Sequence, residues 1–297
     1  MVDYNTPPQE TQPTPEQILA LASEFISHFN IRANPYSDRK GFLEELRKLD
    51  PLKSGDPRYV NEYNPTEYGP ETEQIIRRAF DAMGMSQSET PLVPGHYKAI
   101  LVLGAARQAP ADRLDYLLQA LQSGVITIDA IVVTGSVRPL GVDDDPTKSE
   151  VVNVSNYAPG AKLEGDLAEA VARGAKHDTT LPDDRVFSVV SNFVGTNPDN
   201  GRRFYADNDM VMTMAFQELG QLGLLSDDSR VGAVTTQIYQ PGASFDLANV
   251  AARFGITDTL VAGNPSDPKI IANRSVSTLF TEVCRTFQKA LTEQQTE

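Results

Sequence analysis

The segment that follows residue 103 combines a glycine with two arginines, a combination suited to an anionic ligand. Gly104 directly follows an apolar run, and Ala105 stands beside it. Arg107 and Arg113 come shortly afterwards. A glycine lets a ligand approach the backbone, and the free N–H groups at the start of the next helix attract negative charge. We therefore expect these residues to contact a ligand.

Two later segments carry hydroxyl and aromatic side chains after similar apolar runs. They are Thr134, Gly135 and Ser136 in one segment and Thr235, Thr236 and Tyr239 in the other. Hydroxyl groups donate and accept hydrogen bonds, and a tyrosine ring can stack on a planar base. We expect both segments to line the same site.

The same residues also have structural interpretations. The residues after Gly104 are not those of a G-x-G-x-x-G fingerprint, so a standard dinucleotide site is disfavoured. A tight turn is as consistent with this glycine as a ligand contact. For Arg107 and Arg113, a salt bridge to a carboxylate such as Asp115 or Glu164 is an equally consistent interpretation.

Metal and thiol chemistry have little support in the sequence. The carboxylates of Asp143, Asp144 and Asp145 are consecutive and point in different directions, which is typical of a solvated turn. The three histidines, at positions 28, 96 and 177, lie far apart and have no second ligand at helical or turn spacing. The single cysteine, Cys284, falls in a predicted helix and is expected to be a buried thiol. We predict no metal site.

Strand and helix patterns alternate from residue 98 onward. Apolar runs predict strands at 99–103, 130–134, 186–191, 231–235 and 259–262. Patterns of period 3.6 predict helices at 111–122, 163–173, 207–222, 243–254 and 275–291. Strands that are apolar at every position need cover on both faces. The sequence therefore predicts an α/β fold with a Rossmann-like doubly wound, mostly parallel sheet of about five strands, which binds ligands outside the carboxyl ends of its strands.

The chain divides into three parts. Residues 1–13 are polar and proline-bearing and are predicted to form a flexible tail. Residues 14–95 show helical patterns that begin near Thr14, Phe42 and Pro70, and their narrow apolar stripes predict an N-terminal helical extension packed on the main domain. Residues 96–297 form the predicted Rossmann-like domain. Its loops at 136–161 and 192–206 are long enough to be functional or mobile.

Composition limits the partners. The formal net charge of −14 makes nucleic acid and anionic membrane surfaces unfavourable partners, although an anionic ligand can bind where donors are concentrated. The N-terminus lacks the basic and apolar regions of a signal peptide, and no segment reaches the length of a membrane span. We therefore expect a cytoplasmic protein with a small-molecule ligand. The sequence leaves the oligomeric state open.

Four segments resemble one bacterial family. The succession AILVLGA, ADRLDYLLQAL, IDAIVVTGS and TTQIYQPGASFDLANVAARFGI is similar to the domain-of-unknown-function family that contains the YdcF, SanA and ElyC proteins. The resemblance covers residues 97–291, and the absence of a membrane anchor makes the chain similar to the YdcF type. It implies a Rossmann-like fold with a polar pocket above the sheet and, for the YdcF type, binding of S-adenosylmethionine.

The family motifs match this chain unevenly. Gly104 and Arg113 match, Thr134-Gly135-Ser136 nearly matches, and Leu163-Glu164-Gly165 stands for a Ser-Glu-Ala helix start. The segment that ends in Asn208 is a loose version of Thr-x-Glu-Asn, with 196–200 as a rival. The resemblance therefore implies that Glu164 and Asn208 also belong to the ligand site. In the late motif, tyrosine replaces the family histidine at Tyr239, and Gly242 replaces an arginine.

These observations favour a binding protein for a nucleotide-like ligand, with S-adenosylmethionine as the first candidate. One alternative is an enzyme, a transferase or hydrolase acting on a phosphorylated or glycosidic metabolite. It would use Arg107 and Arg113 to hold the anion and Glu164 as the acid–base group. Another alternative is a non-catalytic interaction protein that uses the N-terminal helices. The replaced histidine and arginine of the late motif favour the binding protein over the enzyme.

Overall fold

The computed structural model describes residues 69–105, 109–140, 152–154, 158–196, 203–265 and 276–293, with short pieces between Gln17 and Glu45. The chain divides into two compact units. The larger unit comprises residues 87–273. The smaller one combines residues 1–86 with residues 274–297.

A five-stranded parallel sheet forms the centre of the larger unit. Its strands are β1 (Ala99–Val102), β2 (Ile131–Ser136), β3 (Val186–Ser191), β4 (Arg230–Thr236) and β5 (Asp258–Asn264). Every neighbouring pair is parallel, in the order β5-β4-β1-β2-β3. All residues of β1 are buried, as its unbroken apolar run indicates. The predicted Rossmann-like doubly wound sheet is confirmed.

Helices cover both faces of this sheet. The described helices are α1 (Pro70–Ala82), α2 (Ala109–Gln122), α3 (Glu164–Asp178), α4 (Asn208–Gln221), α5 (Gln240–Ala252) and α6 (Val276–Glu293). Ile100 of β1 belongs to one apolar core with side chains of α2 and α3. Its neighbour Leu101 belongs to the opposite core, with α4 and α5. Successive side chains of a strand point to opposite faces, so one apolar run supplies both cores.

The strand order creates a switch point at the centre of the sheet. The chain runs from β1 outward through β2 to β3 and then returns to β4 on the other side of β1. The segments after β1 and β4 therefore leave the sheet in opposite directions. A crevice opens between such segments at the carboxyl ends of the strands.

Three short strand pairs accompany the main sheet. Gly95–Tyr97 pairs in parallel with Ile126–Ile128. Val152–Val154 pairs with Ala158–Ala161, and Val194–Thr196 pairs with Arg203–Tyr205, both antiparallel. The last two pairs lie in the segments that the sequence indicates only as long loops. Strands of three or four residues are too short to show a clear alternation.

Some helix ends differ from the predicted ones. Helix α2 begins at Ala109 and α5 begins at Gln240, because Pro110 and Pro241 occupy first-turn positions, where proline is tolerated. Helix α3 continues to Asp178 instead of ending at Arg173. Its small buried alanines extend the apolar face that packs on β2 and β3.

The smaller unit is helical where it is described. Helix α6 packs against α1, and Phe280 and Phe287 of α6 contact Phe25, with ring centroids 5.9 and 5.4 Å apart. The sequence assigns this helix to the α/β domain, but its contacts lie with the N-terminal helices. Cys284 of α6 is buried, as predicted. The tail at residues 1–13 lies outside the described residues, and the packing of residues 14–95 on the main domain stays a prediction.

None of the helices that the structure describes combines the length and the hydropathy of a membrane span.

Replacing Phe287 by alanine tests the aromatic core of the smaller unit. Removing a buried phenylalanine leaves a cavity that costs about 3–5 kcal/mol, so amides of α1 and α6 should exchange faster with deuterated solvent. The matched control is Phe193→Ala, because Phe193 is exposed to 39%. Unchanged exchange in α1 would contradict the packing of α6 on that helix.

Candidate functional site

Arg113 of α2 lies at the switch point and joins the ends of two strands. Its Nη1 donates hydrogen bonds to the carbonyl oxygens of Leu103 and Gly104, the latter at 3.0 Å, just beyond β1. Its Nη2 donates to the hydroxyl of Thr236 at the end of β4, at 2.9 Å. Only 2% of the residue is exposed. One guanidinium thus fixes the two strand ends between which the crevice opens.

The charge of Arg113 is poorly compensated. Burial lowers the pKa of its guanidinium to about 10, while Tyr239, Glu164 and Asp112 act in the opposite direction. The group is therefore still charged at neutral pH. Among the residues that the structure describes, no carboxylate forms an ion pair with Arg113, so this arginine does not form the salt bridge to Asp115 or Glu164 that the sequence allows. The same interpretation for Arg107 lies outside the described residues. A buried cation with no ion-pair partner produces a positive potential that attracts an anion.

Gly104 allows β1 and β2 to approach closely at their carboxyl ends. Its amide donates to the hydroxyl of Thr134 at 3.0 Å. A Cβ atom at this position would lie 2.5 Å from the carbonyl oxygen of Thr134. Gly135 is similarly confined, since a Cβ there would lie 2.9 Å from Ala168 of α3. These glycines are required by packing against backbone and helix, and a turn alone does not explain them.

A carboxylate lies at the start of α3, beside the end of β2. Ser136 donates a 2.8 Å hydrogen bond to Oε2 of Glu164, and Nη1 of Arg138 lies 3.9 Å from Oε1. Ser136 is buried, and 13% of the Glu164 side chain is exposed. Glu164 is the first residue of its helix, where the helix dipole stabilises a negative charge. The pair combines a fixed carboxylate with a buried hydroxyl.

The segment after β4 places an aromatic ring near Arg113. Residues Gln237–Tyr239 form a short 3-10 helix that leads directly into α5, and Tyr239 is half-buried. The start of α5 is held to the sheet by Gln240, whose Nε2 donates to the carbonyl oxygen of Val261 at 3.0 Å. Tyr239 is therefore presented from a rigid segment.

Most of the predicted site residues are brought together. A chain of hydrogen bonds joins Thr134, Gly104, Arg113 and Thr236, and the remaining members adjoin it: Ala105, Gly135, Ser136, Glu164 and Tyr239. Thr235 is buried and points to the opposite face of β4. Asn208 begins α4 beyond β3, and no hydrogen bond of the described residues joins it to the others. Arg107 lies outside the described residues.

Asn264 is a polar residue of this region that the sequence analysis missed. It is buried at the carboxyl end of β5, next to Thr236 in the sheet register. The predicted strand ended two residues earlier, at Ala262. The sequence did contain a signal that the strand extends to Asn264. This residue is followed by Pro265, and a residue before proline favours the extended conformation of a strand end.

Among the residues that the structure describes, no cluster of three or more histidine, cysteine, aspartate or glutamate side chains could hold a metal ion. The run Asp143–Asp145 lies outside them. Comparisons with protein-family models, with curated proteins and with solved structures find no match.

Replacing Arg113 by lysine tests its role at the switch point. Lysine keeps the charge but cannot hold the Leu103, Gly104 and Thr236 acceptors in one planar arrangement, so the free energy of unfolding should fall by about 2–4 kcal/mol. Chemical denaturation measures this loss. The control Arg253→Lys changes an exposed arginine at the C-cap of α5 and should alter stability by about 0.5 kcal/mol or less. Equal, small losses in both variants would contradict the bridging role.

Proposed function

We propose that the protein binds a nucleotide-like small molecule at the carboxyl ends of β1, β2 and β4, with S-adenosylmethionine as the first candidate. The observation that carries this proposal is the buried Arg113 guanidinium, which lies at the switch point of a Rossmann-like sheet without an ion-pair partner among the described residues. An anionic group of a ligand would compensate its charge.

The other groups of the site suit the remaining parts of such a ligand. The half-buried ring of Tyr239 offers a face on which a planar base can stack. The Glu164 carboxylate accepts a hydrogen bond from Ser136 and retains acceptor capacity for ribose hydroxyls. The start of α2, immediately beyond the Gly104 segment, adds a positive dipole end for a carboxylate or phosphate.

The family resemblance supports the choice of S-adenosylmethionine. The resemblance to the family rests in part on Gly104, Arg113 and Thr134-Gly135-Ser136, which are also residues of the described cluster. We include membership of that family and a cytoplasmic location in the proposal.

A second candidate function is catalysis on a phosphorylated or glycosidic metabolite. The observation that favours it is the 2.8 Å hydrogen bond between Ser136 and Glu164, which pairs a hydroxyl with a carboxylate that can accept its proton. In this function the charge of Arg113 would stabilise an anion. Release of phosphate or sugar from a phosphosugar panel, lost in Glu164→Gln, would favour this candidate.

Two substitutions of Tyr239 test the binding proposal. Phenylalanine keeps the aromatic face and should preserve most of the affinity for S-adenosylmethionine. Alanine removes the stacking surface and should cost about 1–3 kcal/mol, or on the order of five- to 150-fold in affinity. Isothermal titration calorimetry against S-adenosylmethionine and adenine nucleotides measures both.

The outcomes separate the two candidate functions. A large loss in Tyr239→Phe with the fold intact would mean that the hydroxyl carries chemistry and would favour the enzyme. If the unaltered protein binds no member of the panel, the nucleotide proposal is wrong.

A further inference from the structure

Among the residues that the structure describes, the buried polar atoms without a hydrogen-bond partner include Nε of Arg113 and Oδ1 of Asn264. Both residues lie at the carboxyl ends of the strands around the switch point. The two residues are exposed to only 2% and 7%. Leaving a buried polar atom without a partner lowers stability, so each such atom in a folded protein calls for an explanation, and a bound molecule that satisfies it is one.

Both atoms lie on the same face of the sheet. Thr236 and Asn264 are register partners on the parallel strands β4 and β5. Two residues earlier on each strand, Val234 and Ala262 belong to the apolar core that contains Leu114 of α2. By alternation, Thr236 and Asn264 also point toward α2, and the hydrogen bond from Arg113 to Thr236 agrees with this direction.

Arg113, Thr236 and Asn264 therefore form a row across the carboxyl ends of β4 and β5. Neighbouring strands are about 4.8 Å apart. Arg113 contacts the Thr236 hydroxyl through Nη2, and Asn264 is the register partner of Thr236, so both residues adjoin one threonine side chain. A small group that lies over Thr236 would be next to both residues.

The hydrogen-bonding and charge requirements of Arg113 and Asn264 indicate which chemical group would bind there. The Nε–H of Arg113 needs an acceptor, its charge needs an anion, and Oδ1 of Asn264 needs a donor. A fully ionised phosphate supplies the anion but no donor for the amide oxygen. The edge of a neutral base supplies a donor and an acceptor but leaves the cation uncompensated. An α-amino acid group supplies a carboxylate and an ammonium separated by one carbon atom, and meets all these requirements.

We propose that Arg113 and Asn264 form a subsite for the α-amino acid group of the ligand, with the carboxylate at the guanidinium and the ammonium at the amide oxygen. The inference rests on the proposed function for the location of the ligand and goes beyond it in assigning Asn264 and the amino acid group. Both atoms are buried without ligand, so binding requires a local displacement of the groups that cover them. The source of the group is either a free amino acid or an amino acid joined to a nucleoside.

The test compares two probes that differ in this group. S-adenosylhomocysteine and 5′-methylthioadenosine share the thioether nucleoside, and only the first carries the amino acid. The unaltered protein should bind S-adenosylhomocysteine on the order of tenfold to a hundredfold more tightly. Asn264→Leu should remove most of this preference and leave the affinity for 5′-methylthioadenosine unchanged.

A stability measurement separates a ligand contact from a structural role. Leucine is similar in size to asparagine and has no polar atom to leave unpaired, so Asn264→Leu should raise Tm in the absence of ligand. A structural role would lower it. The matched control is Asn249→Leu, the same substitution in the third turn of α5, which should leave the preference between the two probes unchanged.

The outcomes distinguish this inference from the proposed function. Equal binding of the two probes would overturn the subsite while nucleoside binding stands. If neither nucleoside binds, the proposed function fails, and a panel of free amino acids then decides the subsite. Binding of a free amino acid that is lost in Asn264→Leu would support it, and no binding of any amino acid would overturn it.

Discussion

The hydrogen bonds of one buried guanidinium determine the geometry of the site. In the order β5-β4-β1-β2-β3, β1 and β4 are neighbours whose following segments diverge, so their carboxyl ends are not joined by the chain. Arg113 joins them, because it donates to the two carbonyl oxygens just beyond β1 and to the hydroxyl of Thr236. The remaining polar groups of the site are arranged around this contact, and the charge of Arg113, which no ion pair of the described residues compensates, is the basis of the proposal that the crevice binds an anionic group.

Close backbone approach is the second constraint. The carboxyl ends of β1 and β2 come close enough that the amide of Gly104 reaches the Thr134 hydroxyl and leaves no room for a side chain. The start of α3 is held equally close, since a Cβ at Gly165 would lie 2.5 Å from Val190 of β3. This proximity brings Glu164 to Ser136. The carboxylate is therefore positioned by the packing of small residues and not by a flexible loop.

The sheet could be predicted from the sequence because its strands are buried on both faces and so appear as unbroken apolar runs. The short strand pairs that begin with Val152–Val154 and Val194–Thr196 could not be predicted, because a strand of three residues is too short to show an alternation of apolar and polar residues. The sequence also could not predict which helix α6 packs against. An amphipathic stripe shows that a helix is buried but does not identify its partner, and here the partner is α1.

Part of the candidate site could also be predicted from the sequence. Gly104, Thr134, Ser136 and Thr236 all lie at the ends of apolar strands, and they come together because parallel strands present their carboxyl ends at one edge of the sheet. The sequence could not distinguish a ligand contact from a structural hydrogen bond for Arg113, which depends on the acceptors around it. Asn264 was missed because the predicted strand ended two residues too early.

The most direct test of this account is the NMR resonance of the Arg113 Nε–H group, assigned by its disappearance in Arg113→Lys and followed during titration with S-adenosylmethionine. The account predicts that the resonance moves downfield as the ligand carboxylate accepts a hydrogen bond from this group. Two results would contradict the claim that the Arg113 guanidinium holds the ligand. In one, the ligand binds and shifts backbone amide resonances elsewhere, but the Arg113 Nε–H resonance does not move. In the other, the titration shows no binding at all.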